Sequence, residues 1–347
     1  MERDATHYRE VFEAGQCGRS LPNWFLFLVT GRITYSAVIP TKDRAERVVA
    51  TVGCLLGQQR LPEEIIVVDA SVEPLVLPQR IKEIARTREV GLRVERSRPS
   101  TSAQRNLGAD LVASDVVLFV DDDVVLPADY MKYLLRRWEE LGLESLSGIV
   151  GAYSDSVGDG SWLQRSIRRL LMLHYTNPGG SASRIRRSGK MEFVDRPPQE
   201  TFIPSAGAGA TVYRTALARR HRFDERFSGY ALGEDHDFSR RVSKEGRILL
   251  VPEVGFEHRP APAPDGRESS LMWHYRGRRE NFFRLRHLDD SVLSRWAFWI
   301  SVCAEGAEAA LVSGRSRNLG PLRAYAWGVR QAVRDARAER EAGARRT

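Results

Sequence analysis

The densest chemistry in the chain is Asp121-Asp122-Asp123, directly after the apolar run Val116-Val117-Leu118-Phe119-Val120. Three adjacent carboxylates repel one another unless a cation offsets them. Oxygen ligands of this kind suit Mg²⁺ or Mn²⁺, and such a metal would neutralise charge developing on a diphosphate leaving group. The plainer explanation is an acidic turn leading a helix, although one or two acids suffice for that. A second acidic pair, Glu234-Asp235, follows Gly229 and Gly233 at a predicted helix start. A carboxylate there can accept the proton of an attacking hydroxyl. Its like-charged neighbour raises one pKa, while the helix start favours the ionised form. An ordinary acidic first turn, with Asp237 and Arg241 paired at i,i+4, fits the same residues. His258 follows the last predicted strand, and an imidazole beside carboxylates favours Mn²⁺ over Mg²⁺. Arg276, Arg278 and Arg279 offer forked donors for a diphosphate, or a solvated helix face.

These residues need elements to hold them. Ile33–Ile39 reads as a strand ended by Pro40, followed by a helix through Val48, Val52 and Leu56 with Thr41 or Asp43 as its cap. Ile65–Val68, ending at Asp69, and Val116–Val120 are unbroken apolar strands; Leu92–Glu95 is a weaker one. Helices are expected at 104–112, 131–140, 214–221 and 234–245, and further strands at 148–153 and 248–251. Apolar strands alternating with helices predict a mostly parallel sheet covered on both faces. Ligands of such sheets bind beyond the carboxyl ends of the strands. Thr41-Lys42-Asp43, Asp69 and the three aspartates would then share one rim. The small residues Ser205–Ala210 would let backbone approach a ligand closely, and Trp162, Trp273 and Tyr275 are candidate sugar-stacking rings.

The sequence has 347 residues, 42% hydrophobic, with a net charge of +8. That apolar content is too high for a disordered chain. Three scattered cysteines make neither a disulfide framework nor a zinc site, which suggests a reducing compartment. The start MERDATHYRE has no apolar h-region, so no signal peptide is expected, and Trp24–Val29 is too short to span a bilayer. Residues 1–160 carry 19 basic and 24 acidic side chains, whereas 161–347 carry 34 and 21. The basic half raises a nucleic-acid alternative, but no known recognition motif accompanies it. Its arginines with Trp296, Phe298, Trp299 and Trp327 suit either a soluble helical cap or an anionic membrane face.

Taken in order, several blocks resemble family 2 glycosyltransferases of the GT-A fold. They are Tyr35–Arg44, Ile65–Asp69, Phe119–Asp123, Arg222–Phe227, Gly233–Arg241 and Phe256–His258. The resemblance spans roughly residues 33–287. It implies an N-terminal extension (1–30), a GT-A domain (31–260) and an arginine-rich helical C-terminal region (261–347). The implied fold is α/β, a mostly parallel sheet sandwiched by helices, with a Rossmann-like nucleotide-binding half and an acceptor-binding half.

The resemblance implies an inverting, metal-dependent transferase that moves one sugar from a nucleotide-diphosphate donor to an acceptor hydroxyl. By position it assigns Pro40, Thr41, Asp69, Arg105, Asn106, Asp121 and Asp122 to the nucleotide sugar. Asp121, Asp123 and His258 would hold Mn²⁺ or Mg²⁺, and Asp235 would be the base, with Glu234 beside it. Two departures stand out. Asp69 is followed by Ala70-Ser71, without the usual second acid, and Arg276–Asn281 replaces the QxxRW block of processive synthases. Arg278 is the arginine expected at the donor, and single transfer is expected rather than polymerisation. A sugar-phosphate nucleotidyltransferase is the same-fold alternative, but it would open with a glycine-rich loop where this chain has Pro40–Arg44. Glycan, glycolipid and natural-product acceptors stay open, lipid-linked ones included. A cytoplasmic location is expected, with peripheral contact at the inner membrane face as its variant.

Overall fold

The protein was analysed as a computed structural model. It describes residues 32–154, 162–171, 173, 175–176, 180–194, 196–207, 209–226, 233–259 and 269–344. The expected N-terminal extension and the run Trp24–Val29 lie outside the described residues, as does the side chain of Trp162.

The first half alternates β1 (Tyr35–Thr41), α1 (Ala45–Leu56), β2 (Glu64–Asp69), α2 (Gln79–Thr87), β3 (Gly91–Arg96), α3 (Thr101–Leu111) and β4 (Val116–Val120). These strands pair in parallel in the order β3-β2-β1-β4. The side chains of β4 are all buried, as expected for a strand covered on both faces. Close helix packing is set locally: a Cβ at Gly108 of α3 would stand 2.3 Å from Val38 Cγ1 on β1.

The second half is mixed. It contains β5 (Val124–Val125), α4 (Tyr130–Leu141), β6 (Leu146–Tyr153), α5 (Trp162–Leu170), β7 (Tyr175–Thr176), β8 (Arg184–Ile185), β9 (Met191–Phe193) and β10 (Thr201–Ile203). There follow β11 (Ala210–Arg214), α6 (Thr215–His221), α7 (Glu234–Val242) and β12 (Arg247–His258). The main sheet runs β10-β12-β6-β11-β4-β1-β2-β3, with β11 antiparallel to both neighbours. The aromatic rings of Phe119, Phe223 and Phe238 lock α7 onto the sheet, with Phe223 and Phe238 stacked at 4.0 Å between centroids.

Two sequence expectations need correction. Strand β1 does not stop at Pro40 but continues to Thr41. The β1–β4 ladder ends at Val38, and the O of Thr41, the residue after Pro40, accepts from Ala70 N on the β2 side. Successive residues face opposite neighbours, so Pro40 points where no ladder bond is needed. Asp43 does not cap α1, whose N-cap is Arg44. It takes a positive φ of 56° and bonds the next loop, through Ser71 Oγ at 2.7 Å and Val72 N at 3.0 Å.

The C-terminal region is helical: α8 (Ser270–Tyr275), a π-turn (Arg276–Glu280), α9 (Asn281–His287), α10 (Val292–Arg315) and α11 (Gly320–Ala344). It has its own core of Trp273, Phe298, Val302, Ala309, Tyr325 and Val329. Trp273 is therefore a core residue, edge-on to Tyr325 at 5.9 Å, and not an exposed stacking ring. A buried ionic cluster ties this region to the start of β9: Lys190 pairs with Glu280 and Glu305, and Tyr325 Oη donates to Glu305 at 2.9 Å.

Candidate active site

The three aspartates divide because successive residues leaving β4 point to opposite sides. Asp122 turns inward and is 5% exposed; Thr41 Oγ1 donates to it at 2.7 Å and Arg44 Nη1 at 3.0 Å. Burial raises its pKa, with Thr41 and Arg44 pulling the other way. Asp121 and Asp123 face the rim. Pairing of β12 with β5 sets His258 opposite Val124, and Arg259 N donates to Asp123 O at 2.8 Å. His258 Nε2 thus comes within 3.0 Å of Asp123 Oδ1.

Ligand atoms of Asp121, Asp123 and His258 all lie within 4.8 Å of one another. Asp123 Oδ1 is buried and receives no well-aligned hydrogen bond despite the nearby imidazole. Burial works to raise the pKa of Asp123, but His258, Arg44 and Arg47 outweigh it and hold the carboxylate below its usual range. A carboxylate held anionic, a second carboxylate and an imidazole together fit a divalent cation.

Arg105 joins this cluster to the second acidic pair. It is 3% exposed; its Nη2 donates to Asp121 Oδ1 at 2.6 Å and its Nη1 to Glu234 Oε1. Glu234 also accepts from Ser102 Oγ, and burial pushes its pKa up to about 7 against the pull of Arg105. Asp235, half-buried, opens α7 after Gly233, whose φ of 86° suits glycine. Its Oδ1 accepts from His236 N at 2.8 Å. Its Oδ2 lies 3.5 Å from where a Cβ on Gly207 would stand, and Tyr153 Oη is 3.2 Å from the same point. The glycine therefore lets its backbone approach Tyr153 and Asp235 more closely than a side chain would allow.

Other expected residues sit deeper in the frame. Pro40 and Thr41 end β1, and Gln104 Nε2 donates to Thr41 O and Val68 O, each at 2.7 Å. Asp69 is fully buried; it accepts from Ser71 N and Leu75 N at 2.8 Å and from Arg96. Asn106 is bonded to Phe223 N and O and to Glu225, holding the loop before α7. Arg278 turns away to Asp335 of α11 at 3.1 Å, a partially exposed pair. Its neighbour Arg279 is buried, stacks 3.9 Å from the Tyr275 ring centroid, and has Nη1 unpartnered among the described residues. Burial lowers its pKa, and Glu234 is close enough to oppose that shift. The π-turn decides which arginine faces inward, and sequence spacing does not show such a turn. Arg44, Ser102, Gln104 and Tyr153 were also missed, since each matters only through contacts distant in sequence.

Among the described residues no helix is long and apolar enough to cross a membrane. No curated protein matches the sequence significantly. The solved structure of residues 1–349 of S. aureus TarS is 16% identical, with a TM-score of 0.48, covering 78% of this chain and 71% of that one. A TarS structure in complex with UDP gives 16% and 0.45, covering 78% and 70%. GalNAc-T7, solved with UDP, GalNAc and Mn²⁺, is 13% identical with a TM-score of 0.50, covering 77% of this chain but 54% of that protein. That likeness is one of fold. The model of glycosyl transferase family 2 matches residues 36–208, from the first strand through the small-residue stretch. The chain belongs to this family, as a glycosyltransferase with a GT-A-type fold.

Proposed function

We propose that the protein transfers a single sugar, with inversion, from a nucleotide-diphosphate donor to an acceptor hydroxyl. One observation carries this reading. Asp121, Asp123 and His258 converge at the sheet rim, while a separate, half-buried acid, Asp235, stands against the bare backbone of Gly207. The solved neighbours bound to UDP, one of them also to Mn²⁺, support the choice of donor and metal class.

Asp121, Asp123 and His258 would hold Mn²⁺ or Mg²⁺; the metal, when bound, would neutralise charge on the departing diphosphate. Arg279 brings a buried, unpartnered guanidinium nitrogen to the same anion, a role that position favours for it over Arg278. Asp235 accepts the acceptor's proton as its oxygen attacks from the face opposite the diphosphate. Glu234 is a poorer base because Arg105 and Ser102 already occupy both oxygens. It acts through Arg105, which fixes Asp121. Asp69 shapes the base pocket by holding the 71–75 turn and Arg96. Asp122, through Thr41 and Arg44, fixes the loop that presents its two neighbours. The family match favours sugar transfer over both nucleotidyl transfer and nucleic-acid binding. The acceptor is a glycan, glycolipid or natural product, and a cytoplasmic enzyme at a membrane face would meet the lipid-linked ones.

Nucleotide-sugar hydrolysis screened with Mn²⁺ and Mg²⁺ identifies the donor. Asp123→Ala should then abolish turnover and weaken metal-dependent nucleotide binding. Asp235→Asn should abolish transfer with nucleotide affinity intact. Full activity of Asp235→Asn, or a product with retained anomeric configuration, would overturn the assignment.

A further inference from the structure

Helix α10 is apolar on two sides. One side is buried, through Ala297, Phe298, Val302 and Ala309. The other exposes Val292, Leu293, Trp296, Trp299, Ile300 and Leu311, with Trp296 66% and Leu311 64% accessible. At about 3.6 residues per turn these six fall in a sector of roughly 120° with no charged side chain inside it. Arg295 and Glu308 lie outside its two edges. A helix with two apolar sides needs a cover on both.

Helix α11 packs against α10 as the second arm of a hairpin, through Tyr325 Oη on Val302 O and Leu322 N on Ser313 Oγ. Its outer side exposes Arg323, Trp327, Arg330, Arg334 and Arg337, spaced to share one face, with Glu341 following at the far end. Two acids of α11 turn inward, Asp335 to Arg278 and Glu339 to Arg286. The hairpin therefore presents a tryptophan-bearing apolar stripe next to a cationic row.

We infer that this hairpin seats the enzyme on an anionic lipid surface, with α10 lying in the interfacial plane. Indole rings and arginines favour the boundary between headgroups and acyl chains, and α10 does not qualify as a bilayer span. A second copy of the chain would cover the apolar stripe but supply no anion for the arginine row, whereas an anionic lipid surface answers both. The inference does not depend on which sugar is transferred.

The test uses the full chain with vesicles of phosphatidylcholine alone or mixed with phosphatidylglycerol. Binding should need phosphatidylglycerol and weaken with salt. Trp296→Glu with Ile300→Glu should reduce partitioning at least about tenfold, while thermal melting and donor hydrolysis stay at wild-type values. Arg330→Glu with Arg334→Glu should weaken binding to the anionic vesicles. A solvatochromic probe on the exposed Cys303, with Cys17 and Cys54 replaced by Ser, should shift to the blue only when vesicles are added. Three results would overturn the inference. They are wild-type protein left in the supernatant, a probe already blue-shifted before vesicles are present, and a dimer that dissociates on the Trp296 and Ile300 substitutions.

Discussion

Replacing Arg105 with Met tests whether the two acidic clusters form one unit. Arg105 and Glu234 are 3% and 2% exposed, and each is the other's charge partner. Without the guanidinium, Glu234 keeps only the Ser102 hydroxyl, and Asp121 loses its 2.6 Å donor. Breaking a buried pair from one side costs about 3–5 kcal/mol because the remaining charge is uncompensated. In a chain of this size that lowers Tm by roughly 4–7 °C. Arg105→Met/Glu234→Gln should recover much of the loss, since no charge is then stranded, but not transfer, because Asp121 is still unsupported. The pH dependence has a definite sign. Burial pushes Glu234 up to about 7 against the pull of Arg105, so the folded state holds this proton more tightly than the unfolded chain. The associated stability is present below about pH 4.5 and is lost as pH rises toward 7. In Arg105→Met the carboxyl moves further up, so the variant's deficit should widen as pH rises. Denaturant unfolding of wild type, both single variants and the double at about pH 5 and 8 measures this. If the double variant loses the sum of the two single losses, Arg105 and Glu234 are not coupled and the reasoning fails.

Gly207→Val would put methyl groups where a bare Cβ already stands 3.2 Å from Tyr153 Oη and 3.5 Å from Asp235 Oδ2. We expect a stability loss of about 1–3 kcal/mol as Tyr153 gives way and a fall in kcat/KM for transfer of at least about 100-fold; normal kinetics would show that the Gly207 backbone does not face substrate. Asp237→Asn removes the carboxylate shared by Arg241, Arg286 and His287. Burial works to raise the pKa of Asp237, but its three partners prevail and hold it well below the carboxylate range. A depressed pKa stabilises above the unfolded value, so the loss, about 3–5 kcal/mol, should be complete at neutral pH and fade below about pH 4. A loss independent of pH in denaturant titrations would contradict this. Gly108→Ala forces its new methyl against Val38 and should cost about 1–3 kcal/mol, with nucleotide affinity unchanged in the surviving folded protein. Val38→Ala in the same chain should return part of that in thermal melts.

How far the sequence revealed this arrangement depends on the range of the interaction. The apolar strands Ile65–Val68 and Val116–Val120 and the helix through Val48–Leu56 were legible because burial pattern is local. The rim position of Thr41, Asp69 and Asp121 followed from strands in one parallel sheet. The strand ending at Pro40 was misread because proline breaks a ladder only where a neighbour is present to pair. The inward turn of Asp69 and Asn106, by contrast, depends on Leu75, Arg96, Phe223 and Glu225, and no local pattern announces those partners. The π-turn that turns Arg279 inward and Arg278 toward Asp335 is likewise a tertiary matter.

Charge shows the same limit from another side. The arginine excess after residue 160 invited an anionic ligand, yet many of those arginines serve the fold itself. Arg286 binds Asp224, Asp237 and Glu339, Arg284 is buried against Glu305 and Ser301, and Arg241 clamps Asp237. Through Asp237 these contacts brace α7, the helix that carries Glu234 and Asp235, against the C-terminal helices. The helical region is thus a support for the acidic pair Glu234-Asp235 as well as a surface. Arginines left over from this bracing, among the described residues, include Arg279 on the inside and the outer row of α11. Net charge cannot separate these roles. Burial and partner identity can, and they lead to two distinct anion-facing regions where composition suggested one.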